Sequence, residues 1–316
     1  MNEAQLVARV RELFSPRIGD DAAVVGNEVL TTDMLVEDVD FTRETPVRFI
    51  ARKSLAVNLS DIAAMGAAPS HALLAMAIPE WLPLDDFLVA IAEMARQHAI
   101  EIVGGDVSRG EKLTISVTAI GRIITRPLLR SGAKPGDRIY LSRPVGASAT
   151  GLHLLQHGWS VDTAPQHLGY AEKEFGLSAI RRHLDPEPEL ALGQKLAAIA
   201  EVTSCIDVSD GLSTDLHHLC DASETGAQIE RERIPIFQEL LNYGHRLGTR
   251  AQDAVLHGGE EYALLFTSSL PESQLSAKVG RPVYAIGRMT RDRGVVLLED
   301  GQPKRLDAAG WDHLAR

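Results

Sequence analysis

Cysteine, aromatic residues and long apolar runs are all scarce in this sequence. The only cysteines among its 316 residues are Cys205 and Cys220, which lie in segments with the pattern of a strand and a helix. That usage favours buried, reduced thiols over a disulfide framework or a redox or zinc site. Aromatic residues make up 5% of the chain, too few for a base-stacking surface that binds nucleic acid.

No apolar run reaches the roughly 18 to 20 residues that a membrane span needs. Met1 to Val10 has the pattern of an amphipathic helix without the basic segment or apolar core of a signal peptide. We therefore expect a cytoplasmic protein with no membrane partner. The formal net charge of −11 opposes binding to nucleic acid, which is held through Lys and Arg contacts to phosphates. An acidic chain can still bind phosphate ligands through bridging divalent cations.

The length predicts two domains, because one hydrophobic core usually stops growing before 316 residues. Pro, Gly and basic residues are concentrated in RPLLRSGAKPGD, Arg126 to Asp137, so we place the domain junction there and expect domains at 1–130 and 131–316. Before the junction, the pattern predicts a hairpin across Gly26-Asn27, a helix from Thr45-Pro46 to Gly66, and a strand that ends at Val103.

A group of aspartates lies beside glycines or at the ends of apolar strands. Each alone is more often a turn residue or a helix cap than a ligand. Several such aspartates in one chain favour a ligand role over a structural one. If they converge, two like charges ~4 Å apart repel by about 4 kcal/mol at an effective dielectric near 20. A converging cluster must bind cations or take up protons. The group comprises Asp20, Asp21, Asp33, Asp61, Asp106, Asp207 and Asp210.

The ligand types favour magnesium. Carboxylate oxygens, with the hydroxyls of Thr31 and Thr32 beside Asp33, suit a hard cation, and no His or Cys pair has zinc spacing. His217-His218 are adjacent and point in different directions on a helix, so they are expected to be ordinary surface or packing residues. Magnesium held by few carboxylates completes its shell with water and substrate phosphates, which indicates a nucleotide.

The common nucleotide-binding sequences are missing. There is no GxxxxGK[ST] loop, no HRD and DFG pair, and no GxGxxG after the first strand. Any ATP site must therefore use a less common architecture.

Seven motifs in order identify that architecture by resemblance. The motifs GDDAAVV, TTDMLVE, NLSDIAAMGA, GGDVSRG, RSGAKPGD, DVSDGLSTDL and HGGEEYALLF resemble the thiamine-monophosphate kinase family. That family lies in the superfamily of aminoimidazole ribonucleotide synthetase and selenophosphate synthetase. The resemblance covers nearly the whole chain, from Gly19 to GWDH near the C-terminus. It implies direct in-line transfer of the ATP γ-phosphate to thiamine monophosphate, which gives thiamine diphosphate and ADP.

The resemblance also implies roles at matching positions. Asp33, Asp61, Asp106 and Arg130 would be catalytic. Gly105, Asp106, Arg130 and Ser209 would contact ATP, and Glu260 and Trp311 would contact the substrate. Without the resemblance, Arg130 is a linker cation, Glu260 a solvated strand-edge acid and Trp311 a packing residue. Several magnesium ions would be held by Asp21, Thr31, Thr32, Asp33, Asp61, Asp106, Asp207 and Asp210.

One position departs from the family pattern. The family commonly has His before the Phe that follows TTDMLVE, whereas Asp40 precedes Phe41 here. We therefore expect an altered thiamine end of the pocket, with Asp40 as a substrate contact.

The fold implied by the resemblance is an N-terminal α+β domain whose sheet pairs with that of a second subunit in a barrel-like interface. A C-terminal α/β domain packs against it, with ATP in the cleft between the domains. The expected partners are ATP, thiamine monophosphate and a second copy of the chain. The alternatives are another ATP-dependent synthetase of the superfamily, a non-catalytic nucleotide-binding homologue, or a metal-dependent phosphatase that needs no ATP.

Overall fold

The computed structural model describes residues 3–15 and 17–314 and contains one sheet in each half of the chain. Met1 and Asn2, part of the predicted N-terminal helix, lie outside the described residues. The first half contains α1 (Glu3–Leu13), β1 (Ala23–Val25), β2 (Glu28–Val36), α2 (Val47–Ala64), β3 (Ala68–Ile78), α3 (Leu84–Gln97), β4 (Glu101–Arg109) and β5 (Thr114–Arg122).

The second half begins with β6 (Arg138–Leu141). It continues through α4 (Ala147–Gln156), α5 (Tyr170–Leu184), α6 (Leu190–Ala197), β7 (Val202–Asp207), α7 (Leu212–Ala222), β8 (Gly226–Glu230), α8 (Gln238–Tyr243), α9 (Ala251–His257), β9 (Leu264–Ser268), α10 (Glu272–Val279), β10 (Tyr284–Thr290), β11 (Gly294–Glu299) and β12 (Gln302–Arg305).

The N-terminal sheet has the strand order β1-β2-β5-β3-β4. β3 and β4 run parallel, and the other pairs are antiparallel. The predicted hairpin across Gly26-Asn27 is confirmed, with Val24 opposite Val29. One face packs on α2, whose Ile50, Leu55 and Ile62 are at most 1% exposed. The opposite face is open and carries exposed Met34 on β2.

α2 ends close to the predicted stop. Gly66 follows it with φ +67°, a conformation that favours glycine. A Cβ added at this glycine would lie 2.6 Å from the Cβ of Ala197 on α6. The turn therefore also needs glycine because the first half of the chain packs closely on the second half there.

β4 is longer than predicted. We expected it to end before Gly104-Gly105-Asp106, but it continues to Arg109 as the edge strand beside β3. A Cβ at Gly105 would lie 1.7 Å from the carbonyl oxygen of Leu74, so glycine permits this close pairing. Asp106 consequently lies within an edge strand and not at the end of a buried one, which corrects that part of the sequence analysis.

The C-terminal sheet has the order β12-β11-β8-β10-β6-β9-β7 and is mostly antiparallel, with one parallel pair between β8 and β11. β7, which carries Asp207 at its end, lies at one edge beside β9. The sequence analysis did not predict α5, β8, α8, α9, α10 or β12. Cys205 and Cys220 are free and buried, as expected.

The segment 123–137 between the sheets contains no helix or strand. The boundary between residues 130 and 131 remains a prediction. Across the junction, the backbone N–H of Cys205 on β7 donates to the carbonyl of Leu129 over 2.9 Å. Within residues 3–15 and 17–314, no helix is long and apolar enough to cross a membrane.

Candidate active site

Three predicted metal ligands from distant parts of the chain meet between the two sheets. Asp21 precedes β1, Asp61 lies in the last turn of α2, and Asp207 ends β7. One carboxylate oxygen from each lies within 4.8 Å of the others. Asp21 and Asp207 are 8% and 1% exposed and Asp61 is half-buried, so most of this carboxylate cluster is shielded from water. Both domains therefore contribute to one acidic crevice.

Hydrogen bonds satisfy only part of the carboxylate cluster. Thr31 on β2 donates to Asp61, and the hydroxyl of Ser60 donates to Oδ2 of Asp207 over 2.5 Å. Oδ2 of Asp21 and Oδ1 of Asp207 are buried without a hydrogen bond from any described residue. Buried anionic oxygens without donors are costly unless a cation is bound. The cluster therefore fits magnesium, which prefers carboxylate and hydroxyl oxygens.

Burial and mutual repulsion raise the pKa values of these acids. Burial, followed by the repulsion of Asp21, raises the pKa of Asp207 to about 8. Burial and the neighbouring carboxylates raise the pKa of Asp61 well above its ordinary value. Asp33 joins the group electrostatically, because burial, Asp21 and Asp40 raise its pKa to about 6. Its backbone N–H donates to the amide oxygen of Asn58 on α2 over 3.1 Å.

Arg130 lies against the carboxylate cluster from the junction between the domains. Its Nε and Nη2 lie 3.0 and 2.6 Å from Oδ1 of Asp21, and its backbone N–H donates to Oδ1 of Asp20 over 2.8 Å. Burial opposes the guanidinium charge, but the attraction of Asp21 raises the pKa of Arg130 overall. Because Asp20 and Asp21 hold both its backbone and its side chain, Arg130 provides a positioned positive charge at the crevice.

Asp210 lies on the loop after β7 and is held by a residue that the sequence analysis missed. Oδ2 of Asp215 accepts from the backbone N–H groups of Asp210 and Gly211 over 3.2 and 3.0 Å. Asp215 is 1% exposed, and burial followed by the repulsion of Asp210 raises its pKa well above its ordinary value. Oxygens of Asp210 and Asp215 and a ring nitrogen of His218 also lie within 4.8 Å of one another.

The loop of Ser209 and Asp210 positions two predicted substrate residues. The carbonyl of Ser209 accepts from the N–H of Glu260 over 2.6 Å, and the carbonyl of Asp210 accepts from the N–H of Trp311 over 3.0 Å. Glu260 and Tyr262 have φ values of +58° and +49°, an uncommon backbone conformation for residues with side chains. Such strain persists where surrounding contacts enforce it, and it is concentrated at functional sites.

Glu260 is anchored by a buried cation. Nζ of Lys53 on α2 lies 2.5 Å from Oε1 of Glu260, and Nδ1 of His183 lies 3.1 Å from its Oε2. Burial opposes ionisation of Glu260, but the attraction of Lys53 lowers its pKa below the ordinary value. Burial and Lys53 lower the pKa of His183 to about 4, so this histidine is neutral at pH 7. Lys53 therefore holds Glu260 as a carboxylate.

Asp40 and Trp311 lie near the same end of the crevice. Oδ2 of Asp40 accepts from the N–H of Val36 over 2.7 Å. Burial raises the pKa of Asp40, and Glu260 adds to that rise while His313 opposes it. The ring of Trp311 is 5.8 Å from that of His313, edge to face, and Trp311 is 55% exposed. The indole is thus held at the surface beside the acids, where a ligand can contact it.

Asp106, Gly105 and Thr32 lie apart from the carboxylate cluster. Asp106 and Gly105 line a cleft of about 320 Å³ on the open face of the N-terminal sheet, together with Thr118. Thr118 donates to the hydroxyl of Thr32 over 3.1 Å. β5 and β3 separate β2 from β4, so at ~4.8 Å per strand Asp106 is about 14 Å from β2. Within one chain, Asp33 and Asp106 therefore cannot share an ion.

Several residues of the site were not predicted, although the sequence contained signals for some. A lysine and an asparagine interrupt the apolar pattern of α2 at Lys53 and Asn58, and Asp215 lies in the first turn of the helix after Asp210. His183 and His313 carried no local signal. Only the packing of α5 and of the C-terminal segment brings them to the crevice.

The raised pKa values predict that metal-free protein loses stability as pH rises. Asp207 binds its proton more tightly when folded than its ordinary pKa of 3.8 allows, so unfolding releases that proton and stability falls as pH rises toward about 8. His183 and His218, with pKa values lowered to about 4, favour folding as pH rises, but only up to about 6.5. In EDTA, Tm should fall between pH 6.5 and 8, and Asp207→Asn should flatten that slope. A steeper slope in this variant would contradict the assignment.

Comparison with known proteins identifies the family of the chain. Residues 19–123 match the model of the AIR synthase related protein N-terminal domain, and residues 134–299 match that of its C-terminal domain. The chain is 37% identical to the thiamine-monophosphate kinase of Escherichia coli O157:H7, over 94% of this chain and 91% of that one. It is 33% identical to that of Aquifex aeolicus, over 96% and 94%.

Solved structures give the same result. The structure of AaThiL complexed with AMPPCP and TMP is 31% identical and has a TM-score of 0.86, with 99% of this chain and 97% of that chain covered. The chain belongs to the AIR synthase related family and, within it, to the thiamine-monophosphate kinases.

Proposed function

We propose that this protein transfers the γ-phosphate of ATP to thiamine monophosphate, giving thiamine diphosphate and ADP. The observation that carries the proposal is the buried carboxylate cluster, built from both domains and containing oxygens without hydrogen-bond donors. Relatives that match nearly the whole chain are thiamine-monophosphate kinases, and AaThiL was solved with AMPPCP and TMP. ATP and thiamine monophosphate are therefore the two substrates.

The chemistry requires positioning more than proton transfer. The second pKa of a phosphate monoester is about 6, so the attacking oxygen of thiamine monophosphate is already an anion at pH 7. No side chain is needed as a general base. The main obstacle is the approach of two anionic phosphate groups, and magnesium, when bound, reduces that repulsion. Correct positioning of the two substrates contributes about 7 to 11 kcal/mol in comparable reactions.

The residues of the crevice would have different roles in positioning the substrates and reducing their repulsion. Asp21, Asp33, Asp61 and Asp207, with Thr31 beside them, would hold magnesium over the transferred phosphate. Arg130 would add a fixed positive charge for the ATP phosphates, held in place by Asp20 and Asp21. Asp210, positioned by Asp215, would complete the ligand set from the second domain. Gly105, Asp106, Thr32 and Ser209 would contact the nucleotide or its ions from the open face and the loop after β7.

Thiamine binding is assigned to the end of the crevice beside Trp311, Glu260 and Asp40. Trp311 offers an exposed aromatic face for a cationic ring, and Glu260 and Asp40 add negative charge. We expect Trp311→Ala to raise KM for thiamine monophosphate about tenfold, because an aromatic contact contributes about 1 kcal/mol or more. Tm and KM for ATP should not change.

The matched control for Trp311→Ala is Tyr170→Ala, since Tyr170 is 80% exposed and lies at the start of α5. Steady-state kinetics with each substrate varied in turn provide the measurement. Equal KM values for thiamine monophosphate in the wild type and Trp311→Ala would show that the indole does not contact this substrate.

A homodimer is supported by the N-terminal sheet. Its edge strand β4 has no neighbour on its outer side among the described residues and carries Val103 and Val107, which are 53% and 69% exposed. Met34 and Leu73 add exposed apolar surface on the open face. Unpaired edges of this kind are normally covered. Light scattering should give twice the chain mass for the wild type and a lower mass for Val107→Glu.

Mass-spectrometric product analysis tests the activity. The protein should convert thiamine monophosphate to thiamine diphosphate only when ATP and magnesium are both present, and EDTA should stop the reaction. Release of free thiamine and phosphate without ATP would indicate a phosphatase instead. ATP binding without any product would indicate a non-catalytic homologue. A cytoplasmic location remains a prediction from the sequence.

A further inference from the structure

A second cleft lies outside the crevice, between α2 and α3 of the first half and α4 and α5 of the second. Its volume is about 610 Å³. We call it the arginine cleft after five residues in its wall: Arg48, Arg52, Arg143, Arg181 and Arg182. None of them belongs to the proposed catalytic machinery.

Four of the five guanidinium groups have no carboxylate within ion-pair distance among the described residues. Arg52 alone is paired, with Nε 2.7 Å from Oδ1 of Asp185. Arg143 donates to the backbone carbonyls of Glu187, Glu261 and Tyr262 over 2.8 to 3.1 Å. These carbonyls hold Arg143 in place but do not neutralise its charge.

The remaining arginines make aromatic contacts or none. The guanidinium of Arg48 stacks 4.4 Å from the ring centre of Phe49, and that of Arg182 stacks 4.6 Å from the ring centre of Phe237. The guanidinium of Arg181 makes no hydrogen bond or ion pair with a described residue. Burial, followed by the repulsion of Arg143, lowers the pKa of Arg182. An anion between the two would relieve that repulsion.

The acids in the wall do not cancel this charge. Asp185 forms an ion pair with Arg52. Glu261 is buried, and its carboxylate accepts hydrogen bonds from the N–H groups of Gly146 and Ser148 over 2.9 Å each. Burial raises the pKa of Glu261 to about 7, which reduces its negative charge near neutral pH. Glu93 and Glu187, both exposed, also line the cleft. Four arginines without a carboxylate partner therefore face two uncommitted carboxylates.

We propose that the arginine cleft binds a small phosphate-bearing anion at a site separate from the catalytic crevice. Guanidinium groups bind phosphate oxygens through paired N–H donors, and a cleft of 300 to 1,000 Å³ is a common size for a small-molecule site. Phe49 is only 4% exposed, so the wall offers no open aromatic face for a nucleobase. Recognition is through charge, and the ligand is a compact phosphate or diphosphate compound.

The arginine cleft shares a wall with the crevice. Ser148 lines the cleft, and its hydroxyl lies 3.1 Å from Nδ1 of His183, which in turn lies 3.1 Å from Oε2 of Glu260. The two sites nevertheless differ in what they need. Without metal, the carboxylate cluster repels anions, whereas the arginines keep their charge. Removing metal therefore isolates binding to the arginine cleft.

Calorimetric titration of the full-length chain with inorganic pyrophosphate, in EDTA and at constant ionic strength, tests the proposal. The wild type should show saturable binding at one site. Arg48→Ala/Arg181→Ala should weaken it at least tenfold, because two charge-assisted hydrogen bonds are lost. Both side chains are exposed, so the fold should persist. The single variant Arg181→Glu should also weaken binding.

Two controls make the titration specific. Arg122→Ala/Arg291→Ala removes the same charge from exposed positions outside the cleft and should bind like the wild type. Asp61→Asn alters the crevice and should also bind like the wild type. The proposal is overturned if the wild type shows no saturable heat, or if the outer arginine pair weakens binding equally. A change confined to Asp61→Asn would place the anion in the crevice and would also overturn it.

Discussion

Asp61→Asn is expected to lower turnover about a thousandfold while raising the stability of the metal-free protein. The carboxylate of Asp61 lies within 4.8 Å of those of Asp21 and Asp207, so it is a central member of the proposed magnesium site. Loss of such a group costs about 4 kcal/mol in the transition state. Without metal, the same carboxylate is repelled by Asp33, Asp207 and Asp21.

An amide at position 61 removes this repulsion and still accepts the hydrogen bond from Thr31. Tm in EDTA should therefore rise by roughly 1 to 2 °C, as expected for about 1 kcal/mol in a chain of 316 residues. The rise in Tm that magnesium produces in the wild type should be largely lost. Calorimetry with and without magnesium, together with turnover measurements, provides the test.

The control for Asp61→Asn is Asp162→Asn, an exposed acid in the segment before α5, which should behave like the wild type. A metal-free Tm below that of the wild type would mean that Asp61 is an ordinary buried polar residue. Normal turnover in Asp61→Asn would mean that Asp61 has no role in catalysis.

Asp106→Asn should lower turnover about a hundredfold or more without any effect on metal-free stability. Asp106 is exposed on the open face of the sheet, so no repulsion is relieved and no packing is lost. Its proposed role is to bind a metal ion of the nucleotide, an interaction made only when substrate is present. The expected loss corresponds to about 2.7 kcal/mol.

Glu101→Gln on the same strand is the matched control, because Glu101 is also exposed and lies at the beginning of β4. Turnover and Tm in EDTA should be measured for both variants. If Asp106→Asn turned over at the normal rate, Asp106 would have to be removed from the metal set, whereas the assignment of Asp61 would stand.

The sequence predicted most of the first sheet and the composition of the crevice. The apolar spacing of α2 and the hairpin at Gly26-Asn27 are local patterns, and the structure has both. The end of β4 could not be predicted, because Gly104-Gly105 has the pattern of a loop. Its place in a strand depends on pairing with β3, which is distant in the chain.

The roles of the residues near Glu260 also depended on packing. Lys53 and His183 contact Glu260 from α2 and α5, and both precede it by more than 70 residues in the chain. The interruption of the apolar pattern of α2 marks Lys53 as unusual, but nothing local identifies Glu260 as its partner. Its 3% exposure and its ion pair arise only because the second domain covers α2.

The sequence by itself determined the family, the two-domain organisation and the set of acids available to bind metal, because motif order and residue type are local properties of the chain. Only the tertiary structure decided which acids meet. The strand order β1-β2-β5-β3-β4 keeps Asp106 on β4 three strands away from Asp33 on β2, and the packing of α2 on the sheet places Asp61 beside Asp33. Strand order depends on long-range pairing, and long-range pairing determines the distances on which metal binding depends.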